Sequence, residues 1–576
     1  MEVGEEFEMN VMRLTVNFRV VWALLISLAL GSLAASPAEA GPGPGREKVI
    51  AVIGSSVAAG WVTARDARQD MQNGYAYRLG RLLAPRGFKV VNISVPGDTT
   101  QRVLDRLDKD LFPLNPDFAV IALSLENEGI RGIGGKDPAR VYAGFKENLR
   151  SIIARCRTRN IVPVIGTCYA NDNFDKPAHY EFITQMNLEI GTWDVPSVNL
   201  LGALDRGDGL FVEGMTFDLD HPADTGHREL FHSIVPSLFE ALTAGKPQPW
   251  RDTEAGGTPL GVHGRAETVS YIPDDVLHSF TSVFSVRPAS RGVVAVVRSA
   301  GGGTAKILVT KKGGVEFRSS TGTAFTAQAS LLDGGWHSIG LAHHFLKKES
   351  RLFVDGRLLA IIPENILPVE FLLGGVEDKS FPSAKGDYRE WLVYRSVLNA
   401  AEMATLQAGK LLHSSLEVYA PLQGEKLKRD RVLENRALST ARVIFSPSHA
   451  DHDISRLEAD FTRAENDEKV FVDPAEKRPV PLPPQVLEAC TGDYEVAPNL
   501  VLTVDKAGSR LFLLINGGDG GKTELFPLSE ERFFVRSVGP EIEVLFLSKE
   551  GGRPDRLLFK MGGQEMTGKR RAAGLG

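Results

Sequence analysis

The chain has 576 residues, of which 43% are hydrophobic and 24% are charged, a composition typical of a globular protein and not of a disordered one. A formal charge of -6 provides no basic surface for nucleic acid, so we exclude nucleic acid as a partner. The chain is too long for one hydrophobic core and predicts about three domains.

The N-terminal segment, residues 1–40, has the pattern of a secretory signal peptide. Two arginines precede an apolar run from Val20 to Ala35, and the small residues Ala38 and Ala40 follow in the register of a cleavage site. We expect cleavage after Ala40, a secreted or periplasmic protein, and no stable membrane insertion afterwards. A retained membrane anchor is the alternative interpretation, although the apolar run is short for a full span.

A region of alternating strands and helices follows a Gly-Pro spacer and extends from Lys48 to about Ala244. Its apolar strand-like runs lie at 48–53, 88–95, 117–123, 161–166 and 196–201. A long helical pattern occupies 138–160. Strands that are apolar throughout and alternate with helices predict a parallel sheet with helices on both faces, which is a doubly wound α/β domain.

Two β-rich regions are predicted beyond this domain. A linker composition at 245–259 precedes short β-type runs with Gly, Asp and Asn turns, which extend over 258–420. A charged, proline-containing segment at 425–484 is predicted to be a second linker. The remaining residues, 485–576, form a second β-rich block.

The three cysteines, Cys156, Cys168 and Cys490, are too few for a disulfide framework, so the fold must depend on its hydrophobic cores. One interpretation is three buried thiols. The other is a bridge between Cys156 and Cys168, with Cys490 left free.

The stretch "VIAVIGSSVAAGW" at 49–61 predicts a functional site because ligands bind beyond the carboxyl ends of strands in α/β sheets. A Walker-type phosphate loop is excluded because no Gly-Lys pair follows Gly54 at the required spacing. A dinucleotide fingerprint is excluded because Ser56 replaces its second glycine. The nucleophile elbow of α/β-hydrolases fails at Ala58, so a serine nucleophile here belongs to another fold.

A base and a carboxylate for such a serine are available in "FDLDHPADTGH" at 217–227. Asp218 and His221 are three residues apart, so both side chains can lie on one face of a turn. His221 could then accept the Ser56 proton while Asp218 holds its other ring nitrogen. The alternative is a surface loop with a local hydrogen bond.

Across residues 46–245 the chain resembles the SGNH, or GDSL, hydrolase family, whose fold is an α/β/α flavodoxin-like domain. The matching blocks are Gly54-Ser55-Ser56-Val57, Gly97 in a turn after a strand, Leu125-Glu126-Asn127-Glu128, and Asp218 with His221. Each block is weak alone, and the ordered set is specific.

The resemblance implies a triad and an oxyanion hole, with no cofactor and no metal. Ser56 is the implied nucleophile, His221 the base and Asp218 the group that orients it. The implied oxyanion donors are the backbone N–H groups of Ser56 and Gly97 and the side-chain amide of Asn127. Three neutral donors suit the negative oxygen of a tetrahedral intermediate.

The chain departs from the family pattern at two positions. Ser55 replaces an aspartate that is not a triad member, so we expect activity to survive this change. Leu125 replaces a glycine beside the oxyanion asparagine, and we expect it to narrow the acyl pocket or to shift Asn127. We place Asp220 and His227 outside the triad, because Asp220 lacks the three-residue spacing and His227 begins the last helix of the domain.

The region 258–420 resembles a laminin-G-like, concanavalin-A-type jelly roll, a β-sandwich. Its markers lie in 333–359, with the turn dipeptide Asp355-Gly356, and in 386–406. Such domains bind glycans, including polysaccharide, or proteins, or act as spacers, and these interpretations stay open. His343 and His344 are adjacent on a predicted strand, so we expect opposite faces, one solvated ring and no metal chelate.

The stretch 487–535, with Gly492 and Tyr494, resembles a small C-terminal all-β domain of unknown function that is attached to secreted hydrolases. It contains no recognisable catalytic or metal cluster. "HADHD" at 449–453 has the residue types of a chelator, but its charged surroundings favour a solvated or capping run.

The function that this sequence favours is a secreted serine esterase acting on acyl, chiefly acetyl, esters of carbohydrate or related small molecules. A lipase or thioesterase of the same family is one alternative. An extracellular glycan- or protein-binding protein with a degenerate hydrolase domain, of which Leu125 would be the first symptom, is the other.

Overall fold

The computed structural model describes most of the chain beyond residue 45. The described ranges are 46–61, 74–132, 135–174, 176–251, 257–264, 267–374, 381–424, 431–446, 453–469, 479–498, 500–516, 522–535, 542–548, 552–561 and 564–571. The predicted signal peptide and most of the "HADHD" run therefore lie outside the described residues. Within these ranges no helix has both the length and the apolar character that a membrane span requires.

Two compact units divide the chain, one from Lys48 to Pro474 and the other containing Ala475–Gly576. The first begins with a five-stranded parallel sheet in the order β2-β1-β3-β4-β5. Its strands are β1 Lys48–Gly54, β2 Phe88–Asn92, β3 Phe118–Ala122, β4 Val162–Gly166 and β5 Ser197–Val198. This is the flavodoxin-like order, so the α/β prediction is confirmed.

Helices cover the faces of this sheet. They span Ser56–Ala59, Tyr75–Leu83, Thr100–Arg106, Leu125–Glu128, Pro138–Thr158, Pro177–Thr192, Leu201–Leu204, Asp224–His232 and Leu238–Thr243, with short 3-10 or π turns at Ala84–Arg86, Leu107–Leu111 and Phe112–Leu114. The longest begins where the Asp137 side chain accepts the backbone N–H of Ala139 and a proline follows. His227 lies inside the helix Asp224–His232, not at its start, and another helix follows it, so that part of the prediction is wrong.

The second part of this unit consists of two antiparallel sheets, which we call the sandwich. One sheet has the order β12-β11-β10-β9-β16-β7-β20-β19 and the other β15-β14-β13-β8-β17-β18, with β6 beside β17. The strands are β6 Leu260–Val262, β7 Thr268–Tyr271, β8 Phe280–Pro288, β9 Gly292–Ser299, β10 Thr304–Val309, β11 Val315–Arg318, β12 Ala324–Ala327, β13 His337–His344, β14 Glu349–Val354, β15 Arg357–Pro363, β16 Pro368–Gly374, β17 Gly386–Tyr394, β18 Leu416–Ala420, β19 Val432–Leu433 and β20 Val443–Ser446. The resemblance to a jelly roll stays a prediction.

Part of the segment predicted as a linker at 425–484 is built into this sandwich. Strand β20 pairs antiparallel with β7, and β19 pairs with β20, so the two strands extend one sheet at its edge. Helices span Ala400–Gln407, inside the sandwich region, and Ser455–Lys469, beyond it. The sequence pattern missed β19 and β20 because both strands are short and because β7, the strand that joins them to the sheet, is distant in the chain.

Buried polar contacts join the sandwich to the α/β domain. The Arg395 guanidinium, 2% exposed, donates to the carbonyl of His232 at 2.9 Å and to Glu417 at 2.9 Å. The Asn199 amide donates to Glu402 at 2.8 Å. A side chain at Gly202 would collide with the backbone of Val397, so the two parts touch at backbone distance there. Groups this deeply buried require fixed partners, which indicates a permanent interface.

The described residues of the second unit form one helix and a closed eight-stranded antiparallel barrel. The helix is Pro484–Cys490, and the strands are β21 Gly492–Ala497, β22 Leu500–Ala507, β23 Arg510–Ile515, β24 Lys522–Pro527, β25 Arg532–Val535, β26 Ile542–Leu547, β27 Arg556–Met561 and β28 Gln564–Arg570. Each strand pairs with the next, and β28 returns to β21. Leu, Val and Phe side chains fill the interior around the buried Tyr494.

Candidate active site

Ser56 lies two residues beyond Gly54, the last residue of β1, and is the first residue of the helix Ser56–Ala59. Gly54, which ends the strand, packs so tightly against Ala122 on β3 that a Cβ there would collide with the Ala122 carbonyl oxygen. The chain therefore turns at the edge of the sheet where ligands bind in this fold. The Ser56 hydroxyl contacts the His221 Nε2 at 2.9 Å.

His221 and Asp218 lie in the loop before the helix Asp224–His232 and face each other across a tight turn. The His221 Nδ1 is 2.9 Å from each carboxylate oxygen of Asp218. The same carboxylate accepts the backbone N–H groups of Asp220 and His221, both at 2.8 Å, so its orientation is fixed. A protonated Nδ1 donates to Asp218 and leaves Nε2 free to accept the Ser56 proton.

The charges in this pair reinforce each other. Burial opposes protonation of His221, but the hydrogen bond and charge of Asp218, together with the charge of Asp220, outweigh burial and raise the pKa of the imidazole. Burial also opposes ionisation of Asp218, yet its bonds to His221 and to two backbone N–H groups lower the pKa of that carboxyl. The pair therefore stabilises an imidazolium, the state a base reaches after accepting a proton.

Ser56, Gly97 and Asn127 meet at one cleft of about 400 Å³. Gly97 has a φ of 79°, a conformation that favours glycine, and its carbonyl accepts the Arg102 guanidinium at 3.0 Å. The Asn127 amide donates one hydrogen to the Asp98 carbonyl at 3.2 Å and keeps a second hydrogen for another acceptor. Ser56 begins a helix, so its backbone N–H has no partner within that helix.

Ser55, which stands where the family pattern has an aspartate, fits into the core next to the candidate nucleophile. Ser55 is fully buried, and its hydroxyl is 3.4 Å from the Tyr169 hydroxyl. The contact is between two neutral groups and does not involve His221. The departure from the family pattern at this position thus leaves the Ser56–His221 contact in place.

Leu125 does not lie in the cleft, so the expected narrowing of the acyl pocket is not observed, while the alternative expectation, a shift of Asn127, stays a prediction. The Leu125 side chain is fully buried in the core of the α/β domain, and it is absent from the residues that line the cleft, whereas Ser124, Glu126 and Asn127 line it. Leu125 and Asn127 both belong to the four-residue helix Leu125–Glu128, in which the Leu125 side chain lies in the core and Asn127 lines the cleft. Leu125 therefore gives no support to a degenerate site.

Asp220 and His227 are placed very differently. Asp220 lines the cleft, and its Oδ1 accepts the side-chain amides of Asn171 and Asn173 at 3.0 and 2.8 Å. His227 is fully buried, where its Nδ1 accepts the backbone N–H of Tyr75 at 3.4 Å and burial lowers its pKa to about 3. Asp220 is therefore part of the candidate site, and His227 belongs to the core.

Sequence reasoning missed the cleft residues Trp61, Tyr169 and Asn171. Tyr169 and Asn171 belong to "TCYANDN" at 167–173, which directly follows β4. Polar residues at the carboxyl end of a strand were the available signal, since that edge of the sheet carries the site in this fold.

The remaining candidate residues take structural roles. All three cysteines are buried and free, so no bridge joins Cys156 to Cys168, and burial raises the pKa of each thiol to about 12.

His343 and His344 are both buried, so the prediction that one of the two rings is solvated is wrong. The His344 ring contacts the carbonyl of Asp205 in the α/β domain at 3.0 Å, which explains its burial. In the described ranges no group of three His, Cys, Asp or Glu side chains could hold a metal.

The sequence profile of the GDSL-like Lipase/Acylhydrolase family matches residues 52–229. The chain therefore carries a GDSL-type hydrolase domain. The matched segment contains all of the candidate triad and oxyanion residues. No curated protein matches the chain.

Many solved structures match this chain, and the following three each cover about a third of its length. Axe2, an acetylxylan esterase from Geobacillus stearothermophilus, is 20% identical, with 32% of this chain and 92% of that one covered and a TM-score of 0.27. TesA is 24% identical, with coverages of 32% and 94% and a TM-score of 0.26. LAE5, an alpha/beta hydrolase enzyme from the metagenome of Lake Arreo, Spain, is 19% identical, with coverages of 32% and 93% and a TM-score of 0.25.

Proposed function

We propose that the protein is an exported serine esterase that removes acyl groups, chiefly acetyl, from carbohydrate or related hydroxyl-rich alcohols. The observation that carries the proposal is the chain of contacts at 2.9 Å from Ser56 through His221 to Asp218, beside a cleft. A nucleophile that contacts a base, which in turn contacts an orienting carboxylate, is the arrangement that supports acyl transfer.

In the first step the Ser56 oxygen attacks the ester carbonyl carbon while the His221 Nε2 takes the hydroxyl proton. Asp218 holds the imidazolium that forms. The carbonyl oxygen becomes negative and is bound by the N–H groups of Ser56 and Gly97 and by the second amide hydrogen of Asn127. Removal of one such donor typically costs about 3–4 kcal/mol of transition-state stabilisation.

In the second step the intermediate collapses, the carbon–oxygen bond to the alcohol breaks, and His221 gives its proton to the departing oxygen. Water then attacks the acyl group on Ser56, with His221 again acting as base. Return of the proton to the Ser56 oxygen releases the carboxylic acid. Besides the ester and water, these steps use the side chains of Ser56, His221, Asp218 and Asn127 and the backbone N–H groups of Ser56 and Gly97.

The lining of the cleft supports a hydrophilic substrate with a small acyl group. Most of the described residues that line the cleft have polar or charged side chains, although apolar atoms, including those of Trp61, Pro96 and Tyr169, supply the larger share of its surface. A long acyl chain needs a continuous apolar surface to leave water favourably, and polar side chains interrupt such a surface, so we favour acetyl over fatty acyl groups.

Export and polysaccharide binding are further parts of the proposal. Export is supported by the arginines, apolar run and small-residue cleavage pattern of residues 1–40. A secreted or periplasmic enzyme would meet acylated polysaccharide there, and the sandwich is the proposed polysaccharide-binding part of the chain. Release of acetate from acetylated polysaccharides, by the full chain, tests this substrate class.

The decisive experiment compares the wild-type chain with Ser56→Ala and, as a matched control, Ser55→Ala. We expect a fluorophosphonate to label the wild type and S55A but not S56A, and we expect S56A to lose at least about 10³-fold in kcat. A p-nitrophenyl ester series from acetate to long chains gives the acyl preference. Labelling that persists in S56A, or a wild type with no turnover, contradicts the proposed function. A wild type that prefers long acyl chains supports a lipase or thioesterase instead.

A further inference from the structure

Asp220 is a carboxylate that lies next to His221 in the chain and lines the same cleft. Its Oδ1 accepts both the Asn171 amide at 3.0 Å and the Asn173 amide at 2.8 Å. Both asparagines are buried, with exposures of 2% and 7%. Two buried donors on one oxygen hold the carboxylate in a single orientation.

The loop that presents these amides is itself fixed. The Asn171 side-chain oxygen accepts the backbone N–H of Asn173 at 2.8 Å, and the Asn171 backbone N–H donates to the Gly209 carbonyl at 2.8 Å. The loop after β4 is thus bonded to the loop that carries Asp218 and His221. Asp220 therefore holds its place without any substrate present.

The second oxygen of Asp220 is the group that this arrangement leaves for a ligand. Both asparagine amides donate to Oδ1, and no donor in the described part of the chain contacts Oδ2. The Asn171 side chain has its amide on Asp220 and its oxygen on Asn173, so both of its ends are occupied. The group that remains at this point of the cleft is a charged hydrogen-bond acceptor.

The reaction places the alcohol part of the substrate near this acceptor. His221 must protonate the departing oxygen, so that oxygen and the carbon atoms attached to it lie beside the His221 ring. Asp220 adjoins His221 and lines the cleft, so a hydroxyl group close to the ester is within its reach. A carboxylate accepts such a hydroxyl strongly and repels a carboxylate or phosphate at the same place.

We propose that Asp220, held by Asn171 and Asn173, is the alcohol-binding acceptor of this site and selects esters of neutral alcohols that carry a further hydroxyl group near the ester. This inference rests on the proposed function and specifies its substrate. It makes Asp220 a specificity-determining residue, whereas the asparagines act through it as positioning residues.

The test measures kcat/KM for three acetate esters in the wild type and in Asp220→Asn. The esters are glycerol monoacetate, propyl acetate as the analogue without hydroxyls, and 2-acetoxypropionate as an anionic ester. We expect the wild type to prefer glycerol monoacetate and to discriminate against the anion. In D220N we expect the preference for glycerol monoacetate over propyl acetate to fall at least about tenfold, since a hydrogen bond to a charged acceptor is roughly twice as strong as one between neutral groups. Discrimination against the anion should also weaken.

Two further variants separate specificity from loss of structure. Asp208→Asn removes a charge from the same loop, where Asp208 pairs with Arg206 at the surface, and should leave every ratio unchanged. Asn173→Ala keeps the Asp220 charge but removes one anchor, so it should lower the glycerol monoacetate preference less than D220N does. Turnover of p-nitrophenyl acetate and labelling of Ser56 report on the catalytic machinery in each variant.

The outcomes distinguish this inference from the proposed function. If D220N turns over p-nitrophenyl acetate and its ratio of glycerol monoacetate to propyl acetate equals that of the wild type, Asp220 is not the acceptor and this inference is overturned. If the wild type turns over none of the esters and Ser56 is not labelled, the proposed function itself fails. If D208N changes the ratios as much as D220N does, the effect is long-range charge and the subsite is rejected.

Discussion

The hydrolase domain uses a histidine–carboxylate pair twice, once at the cleft and once at its boundary with the sandwich. His221 and Asp218 are 2.9 Å apart, with side chains 17% and 25% exposed. His278 of the sandwich and Glu229 of the hydrolase domain are 3.0 Å apart, with exposures of 5% and 2%. The chemical groups and distances are almost the same, yet the surroundings of the two pairs differ.

The two imidazole rings differ in their surroundings other than the carboxylate partner. His221 reaches the Ser56 hydroxyl through Nε2 and opens on a cleft. The His278 ring lies between aromatic rings, with centroids 4.0 Å from Phe345 and 4.1 Å from His232. A pair can transfer protons when a nucleophile and a substrate reach it, and the same pair in a closed interface can only stabilise the packing.

We expect the largest effect from a substitution that breaks the histidine–carboxylate pair at the cleft. Asp218→Asn removes the acceptor that orients the His221 ring, and kcat for p-nitrophenyl acetate should fall by about 10⁴-fold. The melting temperature should change little, because the pair is partly exposed. A kcat within tenfold of the wild type would show that Asp218 does not orient the base.

Glu229→Gln makes the matching change at the interface. It leaves His278 and Arg228 without their carboxylate in a buried setting, and we expect the free energy of unfolding to fall by about 4 kcal/mol. The folded enzyme should keep its kcat within a few-fold. Urea unfolding measures the loss, with Glu240→Gln as the control, since its partner Arg86 is at the surface. Equal losses in the two variants would contradict a structural role for the interface pair.

The variant Leu125→Ala tests whether the Leu125 side chain packs in the core of the α/β domain and does not line the cleft. Deletion of a fully buried leucine should lower the free energy of unfolding by about 3 kcal/mol. The ratio of kcat/KM between p-nitrophenyl acetate and butyrate should stay at the wild-type value. An increased preference for butyrate would mean that Leu125 limits the acyl pocket after all.

The smallest effect is a pH dependence that separates the two pairs. The base must be neutral to act, and the pKa of His221 is raised, so kcat/KM should fall about tenfold per pH unit below a midpoint above 6.5. Burial opposes ionisation of Glu229, but His278 and Arg228 outweigh it and lower its pKa below 4.5.

The stability that Glu229 contributes is therefore complete above pH 4.5 and is lost only as the pH falls through its lowered pKa. Activity should thus disappear while circular dichroism still reports a folded protein. If activity and ellipticity fall together, the loss is unfolding and not titration of the base.

Local sequence patterns were sufficient to predict the strands of the parallel sheet, but they predicted the ends of those strands less well. The strand predicted at 88–95 ends at Asn92, whose side-chain oxygen accepts the backbone N–H of Ser94 and turns the chain. The strand predicted at 196–201 is only Ser197–Val198, because a helix begins at Leu201. Side-chain hydrogen bonds of this kind depend on a few atoms and leave little trace in apolar periodicity.

The candidate site also contains residues that the sequence motifs predicted and others, such as Asp220, that they did not. Ser56, Gly97, Asn127, Asp218 and His221 are brought together as the ordered motifs indicated. Spacing considers one partner at a time and places Asp220 outside the triad, whereas its orientation depends on Asn171 and Asn173, about fifty residues earlier. Alternation along a strand predicts one solvated ring in the pair His343 and His344, but it does not reveal the α/β domain, whose Asp205 carbonyl the His344 ring contacts.

By itself the sequence determined the α/β order, the two β-rich regions and the motifs of the nucleophile, base and carboxylate, because each depends on residues close together in the chain. Only the tertiary structure decided that Leu125 lies in the core, that Asp220 faces the cleft, and that the sandwich shares a buried polar boundary with the hydrolase domain. Those outcomes depend on which distant groups supply hydrogen bonds and exclude water, and no local pattern records that.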